Sequence, residues 1–139
     1  MVLTAVVGGV LAVQAPINAG LGRVTGQLPA ALVSFTVGTV LLAVIVGLSG
    51  DAGGVSSTFD VRWYYLIGGV LGAAYVTVAL IAVRSIGAGG VAAATITGQL
   101  ATAVVIDRLG ILGLEQTPIT ASKLIGVALL LAGTFLLVR

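Results

Sequence analysis

The sequence predicts an all-α membrane protein with five transmembrane helices. Of its 139 residues, 59% are hydrophobic and only 7% are charged. Soluble domains carry about 25% charged residues, so this composition cannot cover a water-exposed surface. Apolar segments of about 20 residues, each long enough to cross the hydrocarbon core, follow one another along the chain. The short connections leave no room for a soluble domain, so residues 1–139 are predicted to form a single membrane domain.

The composition also argues against several classes of function. The chain has no cysteine and no histidine, so it lacks a thiolate metal site, a cysteine nucleophile and the usual general base. No carboxylate lies in the middle of a predicted span, so a hydrolytic or redox enzyme is not expected. A net charge of +2 is too small for a nucleic-acid surface. We expect no cofactor, no metal and no nucleic-acid partner, only the lipid bilayer and a small-molecule substrate.

The first predicted span, about 2–21, carries two amides in an apolar run. Gln14 and Asn18 are four residues apart and share one helix face. Pro16, between them, leaves the carbonyl of Ala12 without its helical hydrogen bond. An amide is costly in hydrocarbon unless it is hydrogen-bonded or faces water, so this stripe is predicted to be the wall of a polar site. The alternative is that the amides only join this helix to a neighbour.

The second span, about 29–48, opens at Pro29, which suits the first turn of a helix. It contributes Ser34 as a candidate substrate-binding residue. The third span, about 63–83, opens on aromatic residues typical of a membrane–water interface. Tyr75 lies well inside it, where the phenolic hydroxyl needs a hydrogen-bond partner or water.

The fourth span, about 89–106, is rich in alanine and threonine. Thr95 and Gln99 lie on one face of it. We predict that this face meets the amide stripe of the first helix across a cavity, because two helices each offer a glutamine near mid-depth. The alternative is that the threonines bond to their own helix and Gln99 is a packing amide.

The fifth span, about 122–138, carries Gly126 and Gly133 two turns apart on one face. Such a pair permits close helix contact, either between two copies or within one chain. The connections are predicted to be a solvated Gly/Ser-rich loop at 49–62, a tight turn at 84–90 and an interfacial segment at 107–121.

Two charged residues at span ends are candidates for coupling or gating. Proton-coupled transport usually needs an ionisable group within the membrane. Asp107, at the end of the fourth span, is the best candidate for coupling, and Arg84 stands at the end of the third. The alternative reading of Asp107 is a salt-bridged anchor at the membrane boundary.

The placement of basic residues gives no orientation signal. Five spans put three on each side of the membrane: Arg62, Arg108 and Lys123 on one, and Arg23, Arg84 and Arg139 on the other. The positive-inside rule needs an imbalance, so we predict dual topology and an antiparallel homodimer. Two inverted copies would reproduce the inverted repeats common in transporters. The alternative is one fixed orientation.

Several motifs resemble a known family over nearly the whole chain. These include Gly9-Val-Leu-Ala-Val-Gln14-Ala-Pro-Ile-Asn18 near the start, Thr97-Gly-Gln-Leu-Ala-Thr-Ala-Val-Val-Ile-Asp107-Arg-Leu-Gly, and Lys123-Leu-Ile-Gly-Val-Ala-Leu-Leu-Leu-Ala-Gly133. Together they resemble the five-helix YdcZ-like (DUF606) family of the drug/metabolite transporter superfamily. The resemblance implies that fold, and kinship with the small multidrug resistance transporters, which work as antiparallel homodimers.

The kinship also bears on individual residues. In those relatives a first-helix glutamate binds both cation and proton, and the similar place here holds Gln14. A neutral amide cannot exchange a cation for protons, which argues against guanidinium or quaternary-ammonium antiport. Two glycines seven apart on the last helix form the relatives' dimer contact, and Gly126 and Gly133 match that spacing.

These inferences predict a transporter in the bacterial inner membrane. It would move a small polar or amphipathic solute by alternating access, as a dual-topology antiparallel homodimer. The predicted substrate-binding residues are Gln14, Asn18, Gln99, Thr95, Ser34 and Tyr75. The alternatives are a lipid-handling protein and a non-transporting accessory membrane protein.

Overall fold

The computed structural model describes residues 2–139 and is all-helical over that range, so the predicted all-α class is confirmed for this part of the chain. The α-helices are α1 (Val2–Thr25), α2 (Gln27–Ser49), α3 (Ala52–Ser56), α4 (Ile67–Leu109) and α5 (Ala121–Val138). Short 3-10 turns at Ser57–Asp60 and Trp63–Leu66 connect α3 to α4. Within residues 2–139, four helical stretches are long and apolar enough to cross a membrane: Val2–Thr25, Gln27–Ser49, Trp63–Leu109 and Ala121–Val138.

Helix α4 is broken at Gly87, which has φ 69° and ψ 171°. This conformation is essentially restricted to glycine. The break divides α4 into a first arm, residues 67–86, and a second arm, residues 88–109. The tight turn predicted for 84–90 is therefore one non-helical residue between two helical arms, because the residues on either side keep their helical conformation. Near this point the chain divides into two compact units, Met1–Arg84 and Ser85–Arg139.

Small residues hold the first unit together. Gly26, with φ 89°, reverses the chain between α1 and α2, and its N–H donates to the carbonyl of Gly22 at 3.1 Å. Ala19 of α1, Ala30 of α2 and Leu80 of the first arm form a buried cluster in which Leu80 is 1% exposed. Because the alanine side chains are short, the three helices pack closely at this end of the unit.

The segment between α2 and α4 is more regular than its composition predicts. Residues 49–62 are all exposed, as expected of a solvated loop, but they form α3 and a 3-10 turn. The hydroxyl of Ser56 donates to the carbonyl of Gly53 at 2.7 Å, and that of Thr58 to the carbonyl of Val55 at 2.6 Å. These bonds satisfy carbonyls of short helical turns that would otherwise depend on water.

In the second unit, the connection from α4 to α5 folds back on the end of α4. The backbone N–H of Thr117 donates to the carbonyl of Asp107 at 2.8 Å, and Gln116 Nε2 donates to the carbonyl of Arg108 at 2.8 Å. Thr120 caps α5 by accepting from the backbone N–H of Lys123 at 3.3 Å. The carbonyls of Asp107 and Arg108, in the last turn of α4, are thus satisfied within the chain.

Candidate solute-binding site

Three polar side chains of the first unit line one cavity. Gln14 and Asn18 face it from successive turns of α1, and Tyr75 faces it from the first arm of α4. The rest of the wall is apolar and consists of Leu11, Ala15, Val76, Ala79 and Leu80. We call this cavity the niche. It brings the amide stripe of the first helix together with Tyr75, which belongs to the same set of predicted substrate-binding residues.

The niche lies deep in the membrane-spanning part of the unit. Gln14 is at the middle of the 24-residue helix α1, roughly 18 Å from either end at a rise of 1.5 Å per residue. Tyr75 is near the middle of the first arm. The space open to the centre of a water molecule is about 10 Å³, close to the least that holds one water. One chain therefore offers a polar contact point, and a whole solute needs more room.

Asn18 is the most deeply placed polar residue of the niche. It is 7% exposed, and its side chain makes no hydrogen bond with any residue in 2–139. In that range no completely buried polar side-chain atom lacks a partner, so the Asn18 amide must still reach open space. The cavity that it lines supplies that space. An amide left unpaired in an apolar wall costs about 1–3 kcal/mol, so it favours a bond to whatever enters.

The other two polar groups of the niche are also free to bind. Gln14 and Tyr75 are half-buried, and neither side chain is hydrogen-bonded to a described residue. Each therefore presents donor and acceptor positions toward the cavity.

The remaining predicted substrate-binding residues lie elsewhere. Ser34, half-buried on α2, is not part of the wall of the niche. Thr95 and Gln99 belong to the second unit, where Thr95 is half-buried and Gln99 is exposed near the middle of the second arm. Among the described residues none bonds to their side chains. Their meeting with the first-helix amides stays a prediction.

The coupling and gating candidates have different surroundings. Asp107 forms an ion pair with Lys123, with 3.4 Å between Oδ2 and Nζ, and Lys123 Nζ also donates to Thr117 Oγ1 at 3.0 Å. Both charged side chains are more than a third exposed. This is the geometry of an anchor between α4 and α5, and a coupling role for Asp107 stays a prediction. Arg84 is exposed near the end of the first arm.

The glycine pair of α5 faces open space. Apart from the nearby backbone of α5 itself, a Cβ added at Gly126 or at Gly133 would meet no atom of residues 2–139 within 4 Å. The neighbouring Leu129 and Leu136 are 68% and 74% exposed. Nothing within the described chain occupies this stripe, and its role as a dimer contact stays a prediction.

Two features of the structure have no counterpart in the sequence-based predictions. The first is a hydroxyl pair, Thr97 with Thr134, which joins the second arm to α5. Threonines inside apolar helices were the available signal, because their hydroxyls need acceptors. The second is an open groove of about 540 Å³ along α1, lined by Val6, Gly9, Val10, Val13, Gln14 and Ile17.

An all-helical chain with apolar membrane-crossing helices and a polar niche at mid-depth has the features of a multi-pass membrane transport protein. Residues 1–136 match the family described as "Putative inner membrane exporter, YdcZ", and the chain belongs to that family. The resemblance seen in the sequence is thus confirmed, as is a multi-pass location in the inner membrane. An exporter is not an enzyme class. No curated protein and no solved structure matches the chain.

Proposed function

We propose that this chain exports a small polar or amphipathic solute by alternating access, as a dual-topology antiparallel homodimer. The observation that carries the proposal is the unpaired amide of Asn18 in the niche at 7% exposure. An amide that only joined two helices would be bonded to the neighbouring helix. Here the Asn18 amide is not hydrogen-bonded to another helix and lines the niche together with Gln14 and Tyr75. A solute that enters the niche can therefore bond to it.

A second copy is supported by what one chain leaves uncovered. Gln99 is exposed at mid-depth and has no partner among the described residues. In hydrocarbon such an amide is unfavourable, so a second copy or a water-filled pathway has to cover it. The open glycine stripe of α5 offers a face for close helix contact. A niche with room for about one water also needs a further wall to form a solute chamber.

Opposite orientation of the two copies is supported by the even distribution of the six basic residues, three on each side if the chain crosses the membrane five times. A chain without a charge bias inserts in either direction. Two inverted copies would place two niches about a symmetry axis in the membrane plane, as inverted repeats do within one transporter chain.

The test is to measure orientation in cells. The chain has no cysteine, so Ser57→Cys in the exposed 3-10 turn gives a single probe. Intact cells are treated with an impermeant thiol reagent, and the remaining thiols are labelled after lysis. We expect comparable labelling before and after lysis. Labelling from one side alone would remove the antiparallel homodimer.

A matched probe at the other end of α2 controls for unequal reactivity. Val24 is 88% exposed, so Val24→Cys provides a second accessible thiol. One span separates it from Ser57, so within each copy the two positions lie on opposite sides of the membrane. The fraction of Val24→Cys labelled in intact cells should therefore equal the fraction of Ser57→Cys labelled only after lysis. For a dual-topology population both probes are accessible in part from each side.

The groove along α1 favours a second candidate function, the handling of lipid. Its wall, formed by α1 alone, is apolar apart from Gln14. A lipid-handling protein is expected to copurify with a bound lipid, measured by mass spectrometry. Val10→Gln in the groove should remove that lipid, whereas Val40→Gln, at a similarly exposed position on α2, should not. Equal lipid content in all three proteins would exclude the groove as a lipid site.

A further inference from the structure

We propose that the niche recognises an uncharged ligand group that both donates and accepts hydrogen bonds, such as a primary amide. The inference rests on the proposed function and specifies its substrate class. It is drawn from the kinds of polar atom that line the niche, from the charges near it and from the burial of Asn18.

The polar groups of the niche are all neutral, and each can both donate and accept hydrogen bonds. The amides of Gln14 and Asn18 each carry an N–H₂ donor and a carbonyl acceptor, and the hydroxyl of Tyr75 can donate or accept. A ligand group that satisfies such a set has to offer both a donor and an acceptor. A primary amide does so, and it is planar and small.

A charged group finds no counter-ion in this wall. No Asp, Glu, Lys or Arg is among the residues that line the niche. Moving an ion from water to an apolar site without an opposite charge costs several kcal/mol, more than neutral hydrogen bonds return. The part of the site that one chain supplies therefore disfavours ions.

The nearest charges on the two lining helices disfavour a cation further. Arg23 lies five residues beyond Asn18 on α1, and Arg84 lies nine residues beyond Tyr75 on α4. These offsets are roughly 8 Å and 14 Å along the helix axes. Both arginines are exposed and neither lines the niche. They add positive potential at that end of the unit without placing a partner where an anion would bind.

Three probes of nearly equal size and shape test the charge rule: acetamide, which is neutral, acetamidinium and acetate. The purified full-length protein is unfolded thermally with each probe at equal concentration and ionic strength. A ligand that binds only the folded state raises the midpoint by mass action. We expect acetamide to raise it above either ion. The matched variant Asn18→Leu measures the solvent effect of each probe without the amide, and the acetamide increment should vanish there.

A second variant, Gln14→Glu, tests the same inference if Asn18→Leu does not fold. Gln14 is half-buried and lines the niche, so Gln14→Glu adds a carboxylate to its wall. We expect acetamidinium to stabilise this variant more than it stabilises the wild type, while the acetamide increment falls.

The outcomes separate this inference from the proposed function. A larger shift with acetamidinium or acetate than with acetamide in the wild type overturns the neutral class and leaves a transporter with an ionic cargo. No shift with any probe overturns the niche as a site for a group of this size. Labelling at Ser57→Cys judges the homodimeric transporter independently of both results.

Discussion

The side-chain oxygens of Thr97 and Thr134 lie 2.7 Å apart, and each is also within hydrogen-bond distance of the carbonyl of Ala93, at 2.8 Å and 3.1 Å respectively. Thr97 is only 5% exposed. The pair joins the second arm of α4 to α5 in the apolar interior of the second unit. In a membrane protein such side-chain bonds contribute about 0.6 kcal/mol on average and at most about 1.7 kcal/mol.

Removing one hydroxyl of this pair should destabilise the second unit. Thr97→Val leaves Thr134 with a weaker set of acceptors, and we expect a loss of about 1 kcal/mol in the free energy of unfolding. The double variant with Thr134→Val should lose less than the sum of the single losses, because both partners are then apolar. Unfolding of the purified protein by sodium dodecyl sulfate, followed by circular dichroism, measures each value. Thr77→Val is the control, since Thr77 bonds to the carbonyl of Ala73 in its own helix. Additive losses in the double variant would show that the two hydroxyls act independently.

The break in α4 should depend on the glycine at position 87. Gly87→Ala forces a side chain into φ 69° and ψ 171°, and we expect a loss of about 1–3 kcal/mol in unfolding free energy. The control is Gly89→Ala, at a helical position where an added Cβ meets nothing within 4 Å. It should be neutral or stabilising by about 0.5–1 kcal/mol. Equal effects at both positions would contradict a conformational requirement at Gly87.

A large side chain at Gly126 should weaken the proposed dimer. Gly126→Leu fills the open stripe of α5 and keeps another helix at a distance. We expect less dimer by crosslinking in membranes, with little change in the thermal stability of the monomer in detergent, because a Cβ at this position meets no neighbouring side chain. Gly47→Leu on α2, also open, is the control. Full crosslinking of the Gly126→Leu protein would place the interface on another face.

The ion pair between Asp107 and Lys123 should contribute little to stability. Both side chains are more than a third exposed, so solvent screens the pair and its contribution is within about 0–1 kcal/mol. Asp107→Asn is expected to lower the unfolding free energy by no more than that. Added salt should shrink the difference between Asp107→Asn and wild type. If the variant folds normally but its transport no longer responds to a proton gradient, Asp107 has the coupling role that the sequence predicts.

Water access to the niche should distinguish a transporter from an accessory protein. Gln14→Cys is expected to react with a small water-soluble thiol reagent, because Gln14 lines the niche and thiolate forms only where water is present. Val13→Cys, at the adjacent position in the apolar groove, should react much more slowly. Equal and slow reaction at both positions would indicate a site closed to water and favour the accessory role.

The local features of this fold could be predicted because they depend on neighbours in sequence. A long uncharged apolar run predicts a membrane helix, and Gln14 with Asn18 at a spacing of four predicts a shared face. The break at Gly87 was harder to place. Residues 87–90 read Gly-Ala-Gly-Gly, and any of the three glycines can leave the helix. Which one does so depends on packing beyond this segment.

The long-range contacts do not follow from the pattern of each helix, although the sequence predicts that Tyr75 belongs to the same binding site as Gln14 and Asn18. Tyr75 joins the niche only because of the relative position and rotation of α1 and the first arm of α4, which are set by Ala19, Ala30 and Leu80. The bond from Thr97 to Thr134 likewise depends on the register of two helices. A periodic pattern gives the face of each helix, but it does not say which face of another helix it meets.

The one-residue turn at Gly26 bears on how the protein is made. Because α1 ends at Thr25 and α2 begins at Gln27, we expect the two helices to insert into the bilayer as a hairpin. Arg23 sits beside the bend, and drawing its guanidinium back through the bilayer costs about 2.5–3.5 kcal/mol or more. Reversal of the hairpin after insertion would have to meet that cost, so we expect each copy to keep the direction in which it inserted. A population with both orientations would then arise because different molecules insert in different directions, with no flipping of finished molecules.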